Sequence, residues 1–253
     1  MKYNFHFKIQ YEEVDETRHL RLYNLEEYLL NVAGQAADML GFGTFDLLPH
    51  NLTWILAHMN IEMKYLPIHG EEIRIETWVA ENAHMLSRRD YRIYLEKSDR
   101  HELGLIGYVT STWALLDLTS RTIANAFDLP MFEGSVDGEK IEMARAERML
   151  PIKEPTGEHT HIVSYSDLDY NGHCNSCKYL QAMLNAKRLD LSAVDSGNKC
   201  VRLDINYQKE AKEGDAMRTL YIATDDKIQY QQVDADGKTN CSAAVKLIDS
   251  FSV

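Results

Sequence analysis

Between Tyr165 and Tyr179 the chain gathers the residues best suited to chemistry. The run Asp167-Leu168-Asp169-Tyr170-Asn171-Gly172-His173 holds two carboxylates, a carboxamide and an imidazole just ahead of a helical pattern. Alternate residues of an extended segment point the same way, which would put Asp169, Asn171 and His173 on one face. An acid, an amide and a histidine so placed can orient one another and donate hydrogen bonds to a developing oxyanion. The helix start would add free N–H groups and partial positive charge. Asp and Asn also favour helix starts for local reasons. Spacing alone therefore does not separate a site from a capping turn.

The elements that must position this run occur twice. In the first half, residues 3–11 alternate like a strand, and residues 24–40 carry Leu25, Tyr28, Leu29, Val32 and Ala36 on one helical face. Gly41 and Gly43 stop that helix. Strand-like runs follow at 54–65, 72–80, 86–97 and 105–117, with breaks at Gly70 and at Ser98-Asp99-Arg100. The second half repeats the order: a strand at 160–164, a helix at 175–188, then strands at 200–207, 216–224, 228–234 and 241–249. Asp234-Ala235-Asp236-Gly237 suits a hairpin between the last two. The expectation is an α+β fold of two repeats, each a long helix wrapped by a curved antiparallel sheet. The first repeat takes residues 1–127, a polar connector 128–158 and the second repeat 159–253, with a short helix expected near Arg145–Leu150.

Matching Tyr28-Leu29 to Tyr179-Leu180 sets Arg18, Leu20 and Leu22 against Asp169, Asn171 and His173. Matching Tyr65 to Tyr207 sets Ile68 against Glu210, and Gly70-Glu71 matches Gly214-Asp215. On this alignment the first repeat lacks the polar cluster and shapes a pocket instead. Its helix-to-strand connection is also longer, and the insertion near Gly41–Asn51 brings Phe42, Phe45, Leu47 and Leu48, either lining that pocket or packing on the core.

The run Asp167 to His173, continued by Asn175 and Lys178-Tyr179, resembles the D-L-D-x-N-x-H-x-N-x-x-K-Y signature of the fatty acyl-ACP thioesterase family. Ile205-Asn206-Tyr207-Gln208-Lys209-Glu210-Ala211 is similar to the family's L-E-Y-R-R-E-C segment, and Thr112 to Asp117 with Thr119-Ser120-Arg121 to its tryptophan strand and D-x-x-T-R-R turn. The resemblance implies a tandem double hotdog fold and hydrolysis of acyl-ACP to a free fatty acid. Its partner would be an acyl carrier protein bearing an acyl-phosphopantetheine. It implies Asp169, Asn171, His173 and Glu210 as the catalytic residues, and no cofactor. The family's cysteine after the glutamate is Ala211 here. A covalent route through that position is closed, which favours a water activated by Glu210 or His173.

A formal net charge of -12 argues against nucleic acid and anionic membrane surfaces, both of which need clustered cations. No apolar run approaches a bilayer span and no signal-like segment opens the chain, so the expected location is the cytoplasm. Two basic clusters, Arg88-Arg89 with Arg92 and Lys178 with Lys187-Arg188, could meet an acidic carrier or be solvated faces. Cys174-x-x-Cys177 lacks a second ligand pair for zinc, so no metal is expected and inert buried thiols are. An acyl-CoA thioesterase of the same fold and a non-catalytic acyl-thioester binder remain as alternatives. Both a lone chain and a homodimer fit the sequence.

Overall fold

The computed structural model describes residues 1–99 and 101–251; Arg100 and the last two residues of the second repeat lie outside it. The chain forms two compact units, which part in sequence between Ala144 and Arg145. The second also takes in Asn60–Lys64.

In the first unit, β1 (Tyr3–Lys8) leads through a short turn into α1 (Leu22–Met39). Leu25, Leu29, Val32, Ala33 and Ala36 are buried on α1, three or four residues apart, so one stripe faces the sheet. Each fully buried leucine contributes about 1.5–3 kcal/mol. Gly41, at φ +77°, turns the chain out of α1. The Phe42 N–H then closes on the Ala37 carbonyl at 3.1 Å. The insertion after α1 splits. The short α2 (Thr44–Leu47) seats Phe42 and Leu47 in a cluster with Ala37, Val79 and Phe132, while Phe45 and Leu48 stay exposed.

The strands are β2 (Leu52–Met63), β3 (Glu72–Ala83), β4 (Leu86–Lys97), β5 (Gly104–Asp117) and the short β6 (Ile123–Ala124). Their order in space is β1-β3-β4-β5-β2, with β6 on β5. The pairs β1/β3, β3/β4 and β4/β5 are antiparallel.

The second unit has β7 (Gly157–Ile162), α3 (Ser176–Ala186), a single turn α4 (Ser192–Asp195), β8 (Cys200–Tyr207), β9 (Ala216–Ala223), β10 (Lys227–Val233) and β11 (Thr239–Ile248). The order is β8-β11-β10-β9-β7, antiparallel throughout. α3 lies across β7, β9 and β10. The Asp234–Gly237 hairpin forms as expected. Asp234 Oδ1 takes the N–H groups of Asp236 and Lys238, and Gly237 adopts φ +76°. On β8, the buried Arg202 guanidinium meets Asp204 (2.8 Å) and Glu62 (2.7 Å).

Residues 145–150 form no helix, contrary to the expectation. The segment is drawn out along the second sheet. The Leu150 carbonyl takes a hydrogen bond from Gln229 Nε2, Glu147 pairs with Lys227 and Lys246, and Pro151 disfavours helical geometry at the residue before it. The earlier half of the connector lines the first sheet, where Ile141 packs on Trp78 and donates its N–H to the buried Asp90. Among the described residues, no helix is long and apolar enough to cross a membrane.

Candidate active site

Asp169, Asn171 and His173 do come together, but not on an extended segment. A turn holds them. The Asp169 N–H donates to the His173 carbonyl (2.8 Å) and the Gly172 N–H to the Asp169 carbonyl (3.0 Å). Gly172 takes φ +74°, a conformation open to glycine without strain. The Asp169 carboxylate turns inward, and its Oδ1 accepts the backbone N–H of Asn171 (2.8 Å) and of His173 (3.1 Å). Asp169 therefore shapes the loop rather than facing outward. Asn171 is exposed, and among the described residues its carboxamide has no hydrogen-bond partner.

Glu210 arrives from the loop after β8. Its Oε2 stands 3.4 Å from His173 Nε2, with side-chain exposures of 37% for the glutamate and 23% for the histidine. The loops are joined by backbone: Cys174 N–H donates to the Ala211 carbonyl (2.8 Å), and His173 bridges to Lys212. Glu210 lines an open depression of about 200 Å³ with Lys209, Asp215, Met217, Asp234 and Asn240.

The contacts that support the site are not legible from spacing. Asp167 is buried at the loop's entry. It takes the Ser164 N–H (2.9 Å) and stands 2.8 Å from His161 Nε2. These bonds hold its carboxyl below the usual range although burial works the other way. Asp167 also presents its carbonyl to the N–H of Asn175, whose side chain caps α3 through the Cys177 N–H. Lys209 pairs with Asp234 and so ties the neighbour of Glu210 to the hairpin. The His-x₅-Asp and Lys…Asp spacings carry no distinctive sequence signal.

The first repeat is not blank, as the alignment on Tyr28 suggested. Residues 15–19 form the same turn: Asp15 N–H bonds the His19 carbonyl, and Asp15 Oδ1 takes the N–H of Thr17 and His19. The partners of Asp169, Asn171 and His173 are thus Asp15, Thr17 and His19, not Arg18, Leu20 and Leu22. The helix match had slipped by three residues, about one turn, which apolar periodicity cannot detect. Leu20 N–H bonds the Pro67 carbonyl just as Cys174 bonds Ala211, so Leu66, rather than Ile68, stands where Glu210 does. Thr17 Oγ1 is spent on Asp15 and His19 Nδ1. Among the described residues, the first-unit turn therefore has no counterpart of the His173–Glu210 pair, because Leu66 stands where Glu210 does.

The remaining candidates settle locally. Arg88 pairs with Asp90, Arg92 with Glu76 and Glu139, and Arg89 is buried. The charge of this first basic cluster is therefore largely neutralised. All four cysteines are free and buried. Burial pushes the Cys174 thiol up to about 12, so it stays neutral.

One helix across an antiparallel sheet, built twice in one chain with the polar cluster at the start of the second helix, defines a tandem hotdog protein. The family model for the acyl-ACP thioesterase N-terminal domain matches residues 1–128, and that for the C-terminal domain matches residues 152–248. This chain belongs to the acyl-ACP thioesterase family. Among curated relatives it is 22% identical over 242 residues to the chloroplastic palmitoyl-acyl carrier protein thioesterase of Gossypium hirsutum, covering 91% of this chain and 55% of that protein. It is 24% identical over 240 residues to oleoyl-acyl carrier protein thioesterase 1 of Arabidopsis thaliana, covering 88% and 64%. The chain thus spans about half the length of the first of these relatives. Among solved structures, an acyl-ACP thioesterase from Bacteroides thetaiotaomicron shares the fold with a TM-score of 0.82 at 23% identity, over 98% of both chains. The 12:0-ACP thioesterase of Umbellularia californica gives 0.79 at 17% identity, over 98% of both.

Proposed function

We propose that this protein hydrolyses the thioester of an acyl chain carried on acyl carrier protein, releasing a fatty acid and the free phosphopantetheine thiol. Asp169, Asn171, His173 and Glu210 are the residues that do it. The observation that carries this reading is the His173–Glu210 pair, 3.4 Å apart, with Asn171 exposed on the same turn as His173.

The chemistry follows from these positions. Water attacks the thioester carbonyl carbon while its proton passes to the Glu210–His173 pair. The carbonyl oxygen becomes an oxyanion and takes the Asn171 amide N–H. The carbon–sulfur bond then breaks, the proton returns to sulfur, and the acid leaves. Asp169 holds the turn that aims Asn171 and His173. No cysteine is needed: Ala211 follows the glutamate, and the Cys174 thiol is buried and neutral.

The test is thiol release from matched acyl-ACP and acyl-CoA substrates, with direct binding measured in parallel. Faster release from acyl-ACP supports the proposal. Faster release from acyl-CoA replaces the substrate class. Tight binding with no release makes the protein a binder of acyl-thioesters and sinks the catalytic reading.

A further inference from the structure

One buried hydroxyl reaches the backbone on either side of Glu210. Tyr179 lies on α3, 3% exposed, and its Oη reaches the peptide groups on both sides of Glu210. It accepts the Ala211 N–H at 2.8 Å and donates to the Lys209 carbonyl at 3.4 Å. Asn240 Nδ2 approaches the carbonyls of Lys209 and Glu210 at 3.5 Å. On the opposite side of the same segment, Ala211 and Lys212 are bonded to the His173 loop. The residue next to the carboxylate is thus clamped between the histidine's loop and the phenol.

The phenol is itself held. The Tyr207 ring meets it edge-on at 5.9 Å, and the Tyr179 carbonyl takes a hydrogen bond from Gln232 Nε2 at 3.1 Å. Burial raises its pKa far above the usual tyrosine range, so the hydroxyl keeps its proton and can donate and accept together. A hydroxyl that bonds two peptide groups in succession fixes the backbone between them more firmly than packing alone.

We propose that Tyr179 is a positioning residue, whose hydroxyl sets the distance between the Glu210 carboxylate and the His173 imidazole. The proposal rests on the catalytic reading of that pair. Tyr179→Phe removes one oxygen from a buried site, leaves the Ala211 N–H without its partner and leaves the Lys209 carbonyl only the long Asn240 contact at 3.5 Å. Misplacing a reacting group by about 1 Å can cost ~10²-fold. The control is Tyr230→Phe, on β10 in the same unit, which loses a buried phenol bond to the Lys187 carbonyl (2.7 Å) outside the site.

Both variants are made in the full chain. Thiol release from acyl-ACP, thermal unfolding and the His173 ring chemical shifts by NMR at one fixed pH are then compared. In Tyr179→Phe, kcat should fall about 10–100-fold with KM within twofold, whereas Tyr230→Phe should keep kcat. The His173 ring signals should move in Tyr179→Phe alone, because the carboxylate beside the ring has drifted. Glu210 faces that ring, whereas Asp169 spends its carboxylate on backbone N–H groups. Equal kcat losses in the two variants, or an unchanged kcat with unmoved His173 ring signals, would overturn the assignment. If the wild type releases no thiol at all, the proposed function falls, and the NMR arm alone decides for or against the anchor.

Discussion

Asn171→Ala separates chemistry from structure more cleanly than any other change in this chain. The side chain is exposed and makes no hydrogen bond among the described residues, while its backbone N–H, which stays, is what Asp169 Oδ1 holds at 2.8 Å. Surface substitutions of this kind usually move stability by no more than about 0.5 kcal/mol. An oxyanion donor is worth far more to the rate. Removing one costs ~10²–10³ in kcat, or about 2.7–4 kcal/mol of transition-state stabilisation. The interaction forms as charge develops on oxygen, so the loss should fall on kcat with little change in KM. The assay is continuous thiol release from acyl-ACP with a disulfide chromogen, with urea unfolding run on the same preparation. A variant that unfolds like wild type yet loses at least 10²-fold in kcat meets the expectation. Near-full activity would remove Asn171 from the mechanism. A rate loss matched by an equal loss of folded protein would assign the residue to the turn alone.

Other consequences follow from the rest of the molecule. Arg202→Met leaves Glu62 and Asp204 buried without their cation, and should cost about 3–5 kcal/mol in urea unfolding; a loss under about 1 kcal/mol would contradict the buried trio. Glu147 has its pKa lowered to about 2 by hydrogen bonds to Lys227 and Lys246. Its folded pKa lies below the unfolded value, so its contribution is present above about pH 4.5 and fades as pH falls towards 2. With the carboxylate 46% exposed, solvent screening keeps that contribution under about 1 kcal/mol, and Glu147→Gln should flatten the acid limb by no more than this. The buried, neutral Cys174 thiol should resist iodoacetamide in the native state, so mass spectrometry should find labelling only as the chain unfolds; rapid native labelling with loss of activity would reopen a cysteine route.

Much of the fold could be read directly because it is periodic. Alternation located the strands, the α1 and α3 stripes located the helices, and Gly70 and Gly214 marked equivalent turns, at φ +89° and +87°. The helix expected at 145–150 failed because hydrogen bonds to β10 and a following proline outweigh local propensity. The first-repeat turn at Asp15–His19 was hidden by a one-turn slip between two apolar stripes, and only backbone pairing restores the register. In the site, residue types gave the cluster, and the resemblance gave Glu210. What spacing could not give was the inward turn of the Asp169 carboxylate, which depends on a positive φ at Gly172. Nor could it give the hold of Tyr179 on the Glu210 backbone, because the two lie on separate elements.

The central claim is that Glu210 and His173 together activate water. Its most direct test is kcat for thiol release from acyl-ACP by wild type and Glu210→Gln, a change that keeps the side chain's shape and removes its basicity. A fall of at least ~10²-fold, the scale of positioned general-base catalysis, is the predicted result. A Glu210→Gln enzyme within about threefold of wild type would contradict the account, because so small a change falls below the ~10²-fold floor of that scale.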